Sequence, residues 1–167
     1  MTTSPDERFA KGFVLQPEDG ASYWQPVPAN GYVINKLEPV NWDGPFSLGI
    51  QVVAPRSYIR RHIHDRHREV LFVWGGRGRA VIDGAEHVMQ PGTVIALPMG
   101  VEHMFVNEGE EDLKLLWILA PHGLEEFFRQ IGRPRRAGEP TPEPFARPHN
   151  VLEIEAATVF KPGSTSL

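Results

Sequence analysis

The chain has 167 residues, a formal charge of −4, 16 glycines, 16 prolines and no cysteine. That length suits one domain with a real buried core. The lack of cysteine excludes disulfides and thiolate metal ligands, and intermixed Lys, Arg, Asp and Glu without a basic stripe argue against nucleic acid. The opening MTTSPDERFAKG lacks the apolar centre of a signal peptide, and no apolar run approaches a membrane span. The default expectation is a soluble cytoplasmic protein with no membrane partner.

In chain order, residues 1–12 are polar and expected to fray. From residue 13 to 55 apolar runs alternate with turn residues. Phe46 to Val53 reads as a strand, while Tyr23-Trp24 and Tyr32-Val33-Ile34 read as shorter strands or loops. Gly76, Gly84, Gly92 and Gly100 stand eight residues apart with short apolar stretches between them, the rhythm of an all-β sandwich or barrel. Leu113 to Leu119 is a further strand, with Leu113, Leu115, Trp117 and Leu119 on one face. Leu124, Phe127, Phe128 and Ile131 then follow helical spacing, and Gly132 and Pro134 end that helix. The proline-rich stretch from Arg133 to Pro148 reads as an extended linker. Asn150-x-x-Glu153 resembles a capping box and predicts a short last helix near 151–159. A barrel over 13–120, with its core at 45–120, is expected to carry the segment 121–167 outside it, without a second domain.

Two spaced motifs carry the chemistry. The first is His62-x-His64-x4-Glu69-x6-Gly76 and the second Gly92-x5-Pro98-x-Gly100-x2-His103-x3-Asn107. His62, His64, Glu69 and His103 are a ligand set for one divalent metal. On a strand His62 and His64 share a face. A turn over Asp65 to Arg68 is expected to bring Glu69 back on the neighbouring strand, beside them. His103 must arrive from a separate strand. Tyr58 and Arg60 share strand parity with His62, and Leu71, Val73 and Phe105 share it with Glu69 and His103. These five are the candidate substrate pocket, with Arg60 able to meet an anionic group. His67 is expected to be exposed in the turn, and Phe127 and Phe128 to serve packing.

These motifs resemble the two conserved motifs of the cupin superfamily over roughly residues 56 to 107. The resemblance implies a jelly-roll β-barrel with one or two short C-terminal helices packed outside, and a metal held by His62, His64, Glu69 and His103. One position departs: the glycine that usually stands six residues before the first histidine is Arg56 here. A weaker similarity, in Ala120 to Phe128, is to single-domain cupins resembling quercetin dioxygenase. Imidazole and carboxylate suit Fe(II), the first choice, and also Mn, Ni, Cu or Zn. Four protein ligands leave room on an octahedral ion for substrate oxygens. The expected activity is a dioxygenase-like reaction on a small aromatic or enolic substrate, with Glu69 doubling as general base. The alternatives are a metal-dependent lyase, decarboxylase or isomerase, or a non-catalytic small-molecule binding module. A homodimer is expected, built by β-prone residues before position 55.

Overall fold

The computed structural model describes residues 11–163; most of the polar start expected to fray lies outside them. Among the described residues, two antiparallel sheets and two short helices form a jelly roll. In chain order the strands are β1 (Ala21–Trp24), β2 (Tyr32–Leu37), β3 (Ser47–Val53), β4 (Ser57–Ile63), β5 (Arg68–Gly75), β6 (Gly78–Ile82), β7 (Ala85–Met89), β8 (Val94–Leu97), β9 (His103–Asn107) and β10 (Leu113–Ala120). Helix α1 (Leu124–Ile131), β11 (Arg133–Pro134), α2 (Val151–Ala157) and β12 (Lys161–Pro162) complete the chain. The larger sheet runs β11-β1-β2-β3-β10-β5-β8 and the smaller β12-β4-β9-β6-β7.

The core lies between the sheets. Strand β10 alternates as its sequence requires: Leu113, Leu115, Trp117 and Leu119 are fully buried against the smaller sheet. The four evenly spaced glycines all adopt positive φ. Gly76 is the most constrained, because a Cβ there would sit 2.2 Å from the Asp112 carbonyl oxygen. The motif residue Asn107 is structural. Its fully buried amide donates to the carbonyls of Val53, Ala54 and Glu111, and its oxygen accepts from Gly109 N–H. Arg56 takes φ 55°, the left-handed conformation that glycine adopts most readily, and its guanidinium pairs with Glu110. The departure from the family motif thus changes the side chain while the turn keeps a glycine-like backbone.

The β-prone residues before position 55 join the chain's own sheet. β1 pairs with β2, β2 with β3, and β11 covers the outer edge of β1. Residues expected to pair with or pack on a partner subunit thus find strand partners within their own chain. Among the described residues, the outer face of the larger sheet is left uncovered. Two transverse rows cross four strands: Ile50, Leu116, Phe72 and Val94, then Leu48, Ile118, Val70 and Ala96. Phe72, Val70, Val94 and the nearby Trp74 are exposed.

Helix α1 spans the periodic residues. Its Gly123 start has no side-chain cap bond, but Leu124, Phe127, Phe128 and Ile131 are all buried. Burial of side chains of this size contributes about 1.5–3 kcal/mol each, which outweighs a missing cap of about 1 kcal/mol. The capping box expected at α2 does not form, since Asn150 makes no side-chain cap bond. Burial of Ile154 and Glu155 holds that helix instead. The proline-rich segment lies along the barrel, where Val27 N–H donates to the carbonyl of the buried Phe145.

Candidate metal centre

His62, His64, Glu69 and His103 converge, with ligand atoms within 4.8 Å of one another, and all four are buried. The route differs from the simple sequence reading. His62 on β4 and His103 on β9 are cross-strand partners in the smaller sheet. Glu69 lies on β5, which belongs to the larger sheet, between β10 and β8. The carboxylate thus faces the imidazoles across the barrel and does not sit beside them on an adjacent strand. The turn from His64 to Glu69 is the point where the chain changes sheets, so a bound ion would join both layers. His64, just past β4, is tied by its carbonyl to Gly100 N–H at 2.9 Å, which brings together the two motif loops.

Backbone carbonyls orient all three imidazoles. His62 Nδ1 lies 2.7 Å from the Arg60 oxygen, His64 Nδ1 2.8 Å from that of Val159, and His103 Nδ1 2.9 Å from that of Val101. A carbonyl only accepts, so each Nδ1 carries the proton and each Nε2 presents a lone pair. His64 Nε2 and His103 Nε2 both stand 3.4 Å from Glu69 Oε2. These three atoms are buried without a satisfactory hydrogen-bond partner. Buried orphan acceptors are costly. A cation placed among them would satisfy all of them together, so the donor set fits the metal that the family resemblance implies.

Without a metal, a proton competes for the same three atoms. Burial would raise the Glu69 pKa, but once a proton occupies Nε2 of His103 or His64 the resulting hydrogen bond and positive charge outweigh it and hold Glu69 at about 2. Burial, together with His103 and His64, pushes His62 well below the usual histidine range and keeps it neutral. Burial also lowers His64, yet the hydrogen bond and charge of Glu69 and the Val159 carbonyl leave it raised on balance. His64 is therefore an early point at which protons compete with a metal. Metal-linked stability should be present above the raised His64 pKa and be lost as pH falls through it. The Glu69 contribution is present above about 4.5, the usual carboxylate value, and is lost only as pH falls towards about 2. We expect the melting-temperature gap between loaded and metal-free protein to narrow steadily as pH is lowered from 8 to about 5. A gap that widens on acidification would contradict this geometry.

A cavity opens beside the cluster. Its walls include Tyr58, Arg60 and Phe105 from the candidate pocket. Leu71 and Val73 do not line it. They are packed in the hydrophobic core, on the correct face of β5 but deeper than Glu69. On β4 the register shifts between Ile59, opposite Phe105, and His62, opposite His103. Three steps on β4 thus span two on β9, a bulge that breaks simple parity. Ile59 is buried while Tyr58 is exposed, so Tyr58 and Arg60 border the outer end of the cavity.

Much of the remaining wall comes from residues read as packing or left unassigned. Phe127 and Phe128 line the cavity as well as the core. Phe160 stacks on His62 at 4.1 Å and 11° and on Phe127 at 4.7 Å and 0°. Gln25 and Gln51 contribute a hydrogen-bonded amide pair. His67, expected in solvent, is buried near Gly123 and Val159, against the C-terminal segment. The sequence offered one faint signal for Phe160, an aromatic residue just after the last helical segment.

Comparison with known proteins adds a match to a family model and limited likenesses. A family model described as a cupin domain matches residues 49–119. The chain is 30% identical over 74 residues to the protein SchB of Streptomyces halstedii, covering 44% of this chain and 54% of that protein. It is 28% identical over 94 residues to quercetin 2,3-dioxygenase of Bacillus subtilis (strain 168), covering 56% of this chain and 28% of that protein. The chain thus spans about half, or less, of the curated relatives it matches. The structure of the polyketide cyclase RemF from Streptomyces resistomycificus aligns with a TM-score of 0.59 at 18% identity, over 66% of this chain and 80% of that one, a likeness of fold. Among the described residues no helix is long and apolar enough to cross a membrane.

Proposed function

We propose that this chain, which carries a cupin domain at residues 49–119, is a mononuclear metal enzyme acting on a small aromatic or enolic substrate, most simply as an oxygenase. The observation that carries this reading is the buried cluster of unsatisfied imidazole nitrogens and carboxylate oxygen beside an aromatic-walled cavity. His62, His64, Glu69 and His103 would hold the ion, with Fe(II) as first candidate and Mn, Ni, Cu or Zn as alternatives. When bound, it would supply Lewis-acid polarisation of a substrate oxygen and, if redox-active, a route to dioxygen. Phe105, Phe127 and Phe160 orient a ring and exclude water. The cavity is small, about 50 Å³, and suits a small substrate. Gln25 and Gln51 offer an amide edge to a substrate hydroxyl or carbonyl. Glu69 lines the cavity as an ionised carboxylate; at a pKa of about 2 it is a weak base, and it would serve as general base only towards a substrate proton made acidic by the metal.

The same cluster with Lewis-acid polarisation alone gives the second reading, a lyase, decarboxylase or isomerase in which oxygen takes no part. One set of assays separates the readings. Of protein loaded with each metal in turn, at least the Fe(II) form should consume oxygen when given a catechol or an enolic acid. Turnover that continues without oxygen selects the lyase or isomerase, and binding without turnover selects a non-catalytic module.

We further propose a homodimer formed through the outer face of the larger sheet. Its two transverse apolar rows carry no charge, so two copies can meet about a two-fold axis without like-charge contact. Phe72→Asp should convert the dimer to a monomer in light scattering, with little change in bound metal. Wild-type protein that is monomeric at micromolar concentration would rule the dimer out.

A further inference from the structure

Beyond the metal cluster, the strongest concentration of charge near the cavity is a triad of Glu155, Arg60 and Arg147. Glu155 comes from α2 and is 1% exposed. Its Oε1 accepts from both Arg60 and Arg147, the second at 3.2 Å, and its Oε2 has no partner. Both arginines line the outer end of the cavity, and both are partly exposed.

The charge balance is uneven. One buried carboxylate needs one cation to neutralise it. Two guanidiniums against one carboxylate leave one formal positive charge at the outer end of the cavity, while the Glu69 carboxylate lies at its inner end among the imidazoles. Each guanidinium carries five N–H donors in a planar fork, and the contact with Glu155 engages only a minority of them. The Arg60 guanidinium also lies 5.0 Å from the Phe160 ring centre, so the cationic and aromatic walls are continuous. His62, of the four-residue cluster, stacks on the same ring, so the cluster and the arginines share Phe160 as a wall.

We propose that Arg60 and Arg147 form an anion subsite that takes a carboxylate of the substrate. The substrate is then a small aromatic or enolic acid, with its ring against Phe105 and the edge of Phe160 and its enol or phenol oxygen towards His62, His64, Glu69 and His103. The orientation of the ring rests on the metal-enzyme reading above; the anion subsite itself does not, because neither arginine is a metal ligand. A planar carboxylate matches the guanidinium fork through paired hydrogen bonds. Glu155 holds the two forks near one another and fastens α2 over the cavity.

Benzoate and its uncharged counterpart benzamide serve as probes, titrated calorimetrically into the full chain with and without metal. Benzoate should bind about tenfold or more tightly than benzamide in both forms, a gap typical of a charge-assisted contact in a partly dry site. Arg147→Gln should bring the two probes to nearly equal affinity, while Arg147→Lys keeps part of the preference. Metal content should be unchanged in both variants. Equal affinity in the wild type, no measurable binding of either probe, or a preference that survives Arg147→Gln would overturn the subsite. A preference seen only in loaded protein would also overturn it, since the carboxylate would then be binding at the metal cluster. If no metal can be loaded, the metal-enzyme reading fails while the metal-free titration still decides the subsite.

Discussion

Replacing His103 by alanine should weaken metal binding by about 100-fold or more, beyond the 10- to 100-fold typical of losing an outer-shell partner. His103 is buried at the junction of β9 and β4, and its Nε2 faces Glu69. Its own orienting bond is local, to Val101, so its removal disturbs no distant segment. The metal-free variant loses packing but also sheds a buried nitrogen that lacked a partner, and these two effects oppose one another. The barrel should therefore still melt cooperatively, while the stabilisation gained on adding metal largely disappears. Elemental analysis and paired melting curves check both halves. Wild-type metal content in His103→Ala would refute the four-ligand centre.

Phe160→Ala should have the second large effect, although Phe160 is not itself a ligand. Its ring is buried and stacks between His62 and Phe127, and the preceding carbonyl, that of Val159, orients His64. Loss of a buried phenylalanine costs about 3–5 kcal/mol. At about 3 kcal/mol, a domain of this size should lose about 6–12 °C in melting temperature. The diagnostic result is metal affinity. It should fall about 10- to 100-fold, because two imidazoles lose their support. Leu113→Ala, fully buried in β10, is the matched control, a core loss that touches no ligand. Phe160→Tyr should recover most of the affinity. Equal metal affinity in Phe160→Ala and Leu113→Ala would reduce Phe160 to ordinary packing.

The residues that govern the central strands act over short distances, which is why they were legible in the chain. Alternation in Leu113 to Leu119 and the evenly spaced turn glycines report local backbone geometry, and the helical stripe of Leu124 to Ile131 does the same. The four clustered ligands were legible for a related reason: donor chemistry and spacing restrict what such a group can do. Only the tertiary structure decided which sheet carries Glu69, since a short turn can lead to a neighbouring strand or across the barrel. It also decided the β4 bulge, which is a property of pairing with β9 and sets where Arg60 and Tyr58 point. Leu71 and Val73 share the face of Glu69, but depth along a strand depends on what closes the barrel beneath them. The furthest beyond reach was the C-terminal support of the centre. His64 meets the Val159 carbonyl, and Arg60 meets Glu155, each across 95 residues of chain. No local pattern encodes such contacts, because they arise only when α2 and the segment after it fold back over the cavity and exclude water from it.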